Sequence, residues 1–340
     1  MGKLFTGVSA AVLALAVTRN VHAQSVESFY KNRHIDLIIA TTPGGGYDLM
    51  ARVFARHMPR HLVGNPSIVV KNMPGAGGIA AANNLYNVAP KDGTVFAAEL
   101  QGVAFQPLFG EKAARYDATK FTWIGNANSE IGTFFVWHTS PARTIADVMK
   151  REVPAAATDG GSATAFNYRV LNTLIGTRIK IVTGYPGSNE SFLALERGEV
   201  EGFFSVWSTV RARGTLVKDK QVRVLVQIAL EKAADLPDVP LASEFVKTAI
   251  DREALDLAVA PGALGRPYIA PPGVPGDRTK ALQTAFLDSA KDKEFLAEIG
   301  KAGLEVGAMS GDEAVALLKR FYAASPEAVA KVSAMTKGEQ

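Results

Sequence analysis

Two glycine-bearing segments hold the residues best suited to chemistry. Pro43-Gly44-Gly45-Gly46-Tyr47-Asp48 lies between a β-branched run, Ile35 to Ala40, and a run with helical spacing through Leu49, Met50, Val53 and Phe54. Glycine lets a backbone turn sharply and bring several N–H groups close to a ligand. A helix start adds unpaired N–H groups and a partial positive charge, which favour a carboxylate or phosphate. A plain tight turn with Asp48 as helix cap would use the same residues. A second copy shifts the balance: Asp159-Gly160-Gly161-Ser162-Ala163-Thr164 occupies the equivalent strand-to-helix position further along the chain. Two such loops, one in each half, can meet one anion across a cleft. Neither contains Lys or Arg, so backbone N–H groups, hydroxyls and helix dipoles are expected to hold that anion.

Gln101, Tyr185 and Ser205 complete the candidate ligand-binding set, because they fall in loops or at strand ends. Tyr47, Phe105, Phe166, Tyr185, Phe204 and Trp207 either wall the cleft, which would suit an aromatic carboxylate, or pack inside the lobes. Asp159 and Glu99 would favour a ligand that also bears an amine or hydroxyl donor.

Catalytic readings have less support. Gly75-Ala76-Gly77-Gly78-Ile79-Ala80 fits the G-x-G-x-x-A dinucleotide pattern, with Glu99 at about the distance of a ribose-binding acid. The motif is not on the first strand, however, and a close-packed helix start explains it as well. His57 and His61 are four apart with Pro59 between them, which breaks the face a zinc helix needs, so they read as solvated surface residues. The chain has no cysteine, which removes a thiol nucleophile and a disulfide framework. Ser162 has no obvious base nearby. No catalytic residue, metal or cofactor is expected, and the chain reads as a non-enzyme.

The elements that position these loops alternate. Strands are predicted at Ile35–Ala40, Ser67–Val70, Thr94–Ala98, Phe121–Gly125 and Thr133–Trp137, then at Pro154–Thr158, Ile179–Thr183, Val200–Phe204 and Val222–Ile228. Helical patterns lie between several of them, and two amphipathic helices, Asp277–Ala290 and Gly311–Ala323, come near the end. Such β-α-β units imply mostly parallel sheets flanked by helices, with ligands outside the strand carboxyl ends. The expected fold is α/β with two lobes and a cleft between them.

The first 23 residues predict the compartment. Met1-Gly2-Lys3 is a basic start, Leu4 to Val17 is apolar, and Val21-His22-Ala23 is a small-residue cleavage pattern. The expected division is a signal peptide over 1–23, one lobe from 24–128 and 255–340, and a second from 129–254. After cleavage the charge is 35 basic against 33 acidic residues, and no run of five like charges exists, so nucleic-acid binding is not expected. About 317 residues remain, which exceeds the usual size of one core.

Together the motifs resemble a known family. Pro43-Gly44-Gly45-Gly46-Tyr47-Asp48 with Ala51-Arg52, Asn72-Met73-Pro74-Gly75-Ala76-Gly77-Gly78 and Ala89-Pro90-Lys91-Asp92-Gly93-Thr94 occur in order. Gly184-Tyr185-Pro186-Gly187, Gly198-Glu199-Val200-Glu201, Leu236-Pro237-Asp238-Val239-Pro240 and Ala270-Pro271-Pro272-Gly273-Val274-Pro275 follow. The chain is similar to the substrate-binding receptors of tripartite tricarboxylate transporters, the Bordetella uptake gene group, over nearly all of its mature length. The resemblance implies a two-lobed periplasmic binding protein (type II-like) that closes on a carboxylate and then docks with membrane subunits. It implies ligand contacts from the Pro43–Asp48 and Gly160–Thr164 loops. The chain departs from the family at Tyr47, at Pro186 and in the shortened second loop with Asp159. The expected protein is a periplasmic monomer that serves a transporter; a ligand-sensing partner of a sensor kinase, or an exported or NAD-dependent enzyme, are the alternatives.

Overall fold

The computed structural model describes residues 25–338. The signal segment expected at 1–23 lies outside the described residues. Within them, no helix is long and apolar enough to cross a membrane.

Eleven strands form among the described residues: β1 His34–Ile39, β2 Ser67–Asn72, β3 Val95–Ala98, β4 Thr122–Asn126, β5 Gly132–Trp137, β6 Val153–Ala156, β7 Ile179–Val182, β8 Gly202–Val206, β9 Val222–Ile228, β10 Pro267–Ala270 and β11 Met309–Ser310. They build two sheets, ordered β11-β4-β10-β3-β1-β2 and β7-β6-β8-β5-β9. In the first, β2, β1 and β3 are parallel, and β10 is inserted antiparallel between β3 and β4. In the second, β7, β6 and β8 are parallel, and β5 is antiparallel to both β8 and β9. Most strands in each sheet therefore share one direction; β10 and the edge strand β11 run the other way in the first sheet and β5 in the second, so both sheets are mixed. The apolar faces explain the layering. Ile38 and Val95 point to one side of the first sheet, while Leu37, Ile39 and Phe96 point to the other. That second side packs the helices Gly46–His57 and Gly276–Lys291, where Phe54 stacks on Phe286 at 4.6 Å. Phe135, Phe192 and Phe203 form the corresponding layer of the second sheet.

The chain passes between the sheets at two adjacent places. After β4 it crosses through residues 127–131, and it returns through 263–266 before β10. The two crossings bind each other: Glu130 N–H donates to Gly262 O at 2.8 Å, and Ala127 N–H to Arg266 O at 2.9 Å. Gly262 and Gly265 permit this approach, since an added Cβ would meet Glu130 O at 2.8 Å or Asn128 O at 2.7 Å. The division expected between residues 254 and 255 falls inside a helix, Ala249–Ala263, that local patterning missed. This helix packs against Ala163–Ile175 and against the last helix, Pro326–Lys337, while Gly311–Tyr322 packs on β4.

Gly311 marks that last contact. A Cβ there would run into the Trp123 carbonyl, which is backbone and has no room to yield. Gly311→Ala is expected to cost about 3 kcal/mol, the upper end for overpacking. Chemical denaturation should show it as a lower midpoint with an unchanged slope.

Candidate functional site

The first loop follows β1 and enters the helix Gly46–His57. Gly44 has φ +95, a conformation that favours glycine, and Gly45 is the extended N-cap residue. Pro43, Gly44 and Gly45 are exposed, while Gly46 and Tyr47 are half-buried. Asp48 points the other way, with 2 % of its surface exposed. Its carboxylate accepts from Gly44 N–H at 2.9 Å, Arg52 Nε at 2.9 Å and Asn72 Nδ2 at 2.8 Å. Burial raises its pKa, but these hydrogen bonds outweigh that and hold the carboxyl below its usual range. Asp48 therefore shapes the loop from behind, and its bond to Gly44 replaces the N-cap role considered from sequence.

Tyr47 leans over the crossing segments. Its hydroxyl donates to Gly265 O at 2.7 Å, and the Arg266 guanidinium carbon lies 4.8 Å from its ring centroid. Burial is the larger influence on the phenol and, against the lowering effect of Arg266, pushes its pKa up to about 12. Gln101 meets Tyr47 through its backbone N–H, and its Oε1 is buried without a hydrogen-bond partner. Gly44, Gly45, Gly46, Tyr47 and Gln101 thus share the carboxyl edge of β1 and β3.

The second loop follows β6. Ser162 Oγ caps the helix Ala163–Ile175 through Ala165 N–H at 3.2 Å, and Asp159 Oδ1 accepts from Gly161 N–H at 2.8 Å. Both polar side chains are engaged within the loop. Gly160, Gly161 and Ala163 are exposed, and Thr164 is half-buried. Behind the loop, Arg169 donates to Gly160 O at 2.7 Å and to Met335 O at 2.6 Å. Tyr185 is half-buried in the loop after β7, whereas Ser205 is buried inside β8 and its carbonyl accepts from Thr133 Oγ1 at 2.9 Å. Phe105, Phe204 and Trp207 are core residues; Tyr47, Phe166 and Tyr185 remain half-buried.

Among the described residues no hydrogen bond joins the two glycine loops directly. Glu130 instead ties the side of the first loop to the second sheet: it pairs with Arg266 Nη2 at 3.2 Å and accepts from Ser208 Oγ, beyond β8, at 3.0 Å. Arg266, Glu130 and Arg169 were not singled out by sequence reasoning. Nothing near Gly265-Arg266-Pro267 marks a site, because its neighbours come from distant parts of the chain.

Other expectations also change. Glu99 is fully buried, and a Cβ on Gly78 would touch its Oε2 at 2.9 Å, so it does not present the open acid that a ribose would need. His57 and His61 are not free surface groups: His57 Nε2 lies 2.7 Å from Glu298 and His61 Nε2 lies 3.1 Å from Asp292. Ligand-capable atoms of His57, Asp292 and Glu294 lie within 4.8 Å of one another. The Arg60 guanidinium already occupies that cluster, bonding all three residues.

Comparison with known proteins extends this picture. The profile of the tripartite tricarboxylate transporter family receptor, TctC, matches residues 50–331. A TctC solute-binding protein from Polaromonas, solved without ligand, superposes with a TM-score of 0.72 at 18 % identity, covering 91 % of this chain and 99 % of its own. A Rhodopseudomonas palustris protein with adipate gives 0.58 at 21 % identity, covering 88 % and 97 %. MatC from the same species, with bound malate, gives 0.57 at 19 % identity, covering 89 % and 99 %. With its two mixed sheets, its glycine loops at strand carboxyl ends and a profile match across most of its length, this chain belongs to the tripartite tricarboxylate transporter receptor family.

Proposed function

We propose that the chain is a monomeric periplasmic receptor that captures a small organic carboxylate between the Gly44–Tyr47 and Gly160–Thr164 loops. It then delivers that ligand to the membrane subunits of a tripartite transporter. The observation that carries this reading is the placement of two glycine loops, each at a strand carboxyl edge and a helix start, one on each sheet. Adipate and malate in two structural relatives support a carboxylate as ligand. Superposition is closer on the unliganded relative than on the two liganded ones, although its identity is no higher. In this reading the lobes, divided near the two crossings, move toward each other around the ligand.

A thermal-shift screen of the protein against mono-, di- and tricarboxylates, aromatic acids, amino acids and nucleotides tests the reading. A ligand at a hundred times its dissociation constant adds about 2.7 kcal/mol of stability, so a carboxylate should raise the melting temperature clearly. A shift by nucleotides alone would contradict the proposal. Gly161→Trp narrows the test. Only Asp159 Oδ1, at 3.4 Å, lies near a Cβ there, so the unliganded melting temperature should stay within a few degrees of wild type. The carboxylate shift should disappear; an unchanged shift would remove the second loop from the site.

A further inference from the structure

Each glycine loop is backed by an arginine with unused hydrogen-bonding capacity. Arg266 lies under the first loop. Its side chain is 13 % exposed, and an added Cβ on Gly46 would sit 3.3 Å from its Nη1. Only Nη2 has a side-chain partner, Glu130, while Nε and Nη1 are buried without one. Arg169 lies under the second loop. Its Nε and Nη1 donate to carbonyls, its Nη2 is buried without a partner, and it forms no ion pair among the described residues. A buried N–H group without a partner is costly, and buried polar groups in folded proteins are otherwise almost always paired. Three such nitrogens, two behind the first candidate binding loop and one behind the second, are more than packing requires.

We propose that Arg266 and Arg169 supply the fixed positive charge of the anion site, each acting from behind one glycine loop. Sequence reading found no basic residue in either loop, and the structure places the missing charge one layer below. Charge at this depth is poorly screened, so it acts on a ligand held by the loop N–H groups above it. Glu130 sets the strength on the first side, because it offsets part of the Arg266 charge. Gly46 is needed for the same arrangement, since a side chain there would press on the guanidinium. The ligand class is a small organic anion, preferred over a neutral molecule of the same shape. This inference rests on the proposed anion-receptor function.

Isothermal titration of wild type and variants with malate, adipate and the neutral diamide of each tests it. Wild type should bind at least one acid and neither diamide. Arg266→Gln and Arg169→Gln should each weaken the acid at least tenfold, in line with loss of a charged interaction. Arg266→Lys should restore affinity to within about threefold, since the charge is kept while the planar fork is lost. Glu130→Gln should tighten binding severalfold, because it frees the Arg266 charge. A purely structural Arg266–Glu130 pair would instead make both Gln variants weaker. The inference is overturned if the folded arginine variants bind the acid as wild type does, or if Glu130→Gln weakens binding as much as Arg266→Gln. If wild type binds neither acid and no other carboxylate raises its melting temperature, the anion-receptor reading fails and this inference fails with it. Where another carboxylate does raise it, that acid and its neutral amide replace the pair in the same titrations. If wild type binds an acid and its diamide equally, only the charge assignment fails.

Discussion

Asp48→Ala is expected to lower the melting temperature by roughly 6–12 °C and to abolish measurable ligand binding. Asp48 is buried and accepts hydrogen bonds from Gly44, Arg52 and Asn72, so its removal leaves three donors without their acceptor. Breaking a buried charged network from one side costs about 3 kcal/mol, which corresponds to a shift of a few degrees per kcal/mol in a chain of this size. The loop should suffer most, because the Gly44 bond fixes its positive-φ turn. Asp48→Asn separates charge from shape, since the amide keeps one acceptor. The pH dependence has a definite sign. The folded carboxyl titrates below its unfolded value of about 3.9, so its stabilisation is present above that value. It is lost as pH falls through the folded pKa. Differential scanning calorimetry of wild type and Asp48→Asn should show a gap at pH 7 that narrows below pH of about 3.9. A gap of constant size would show that the charge plays no part.

Glu99→Leu is expected to act in the opposite direction and to stabilise the protein by about 1–3 kcal/mol at neutral pH. Glu99 is wholly buried next to Gly78 at the end of β3, and neither carboxyl oxygen has a hydrogen-bond partner from a side chain. Burial dominates its titration and raises its pKa well above the usual value, against a smaller lowering effect from the Leu100 backbone. A carboxyl raised in this way costs stability progressively as pH climbs above its unfolded pKa of about 4.3. The advantage of the Leu variant should therefore be small at pH 4 and should grow toward pH 7. Denaturant midpoints across that range measure it directly. An advantage independent of pH would mean that packing, rather than ionisation, sets the effect. Carboxylate affinity should stay close to wild type, because Glu99 lies on the opposite face of the sheet from Tyr47 and Arg266.

What the sequence made legible followed from local patterning. A β-branched run stopped by Pro43-Gly44-Gly45-Gly46 and an alanine-rich run stopped by Asp159-Gly160-Gly161-Ser162 place β1 and β6 to within two residues and put a helix after each. The family motifs then pair the two loops. What stayed hidden depends on contacts between distant segments. β10 is four residues long, and its place between β3 and β4 is fixed by pairing that no local period encodes. The helix Ala249–Ala263 carries Pro261 near its end, which reads as a break but falls in the last turn. Asp48 at a helix start reads as a cap, and only the position of Asn72 shows that it faces inward. Arg266 is one arginine ahead of a short strand until the return crossing brings it under Gly46.

Two loops closing on one anion is the central claim, and a distance measurement addresses it most directly. The chain has no cysteine, so a pair of introduced thiols can be spin-labelled without competing sites. Leu49, on the helix after the first loop, and Leu193, on the helix Ser188–Glu196 beyond Tyr185, are exposed large apolar residues suited to labels. Double electron–electron resonance on Leu49→Cys/Leu193→Cys, with and without saturating malate or adipate, reads the separation of the two sides. The predicted result is a distance distribution that shortens by several ångströms with the acid and stays unchanged with its neutral diamide. An acid that raises the melting temperature yet leaves the distribution unmoved would contradict the account.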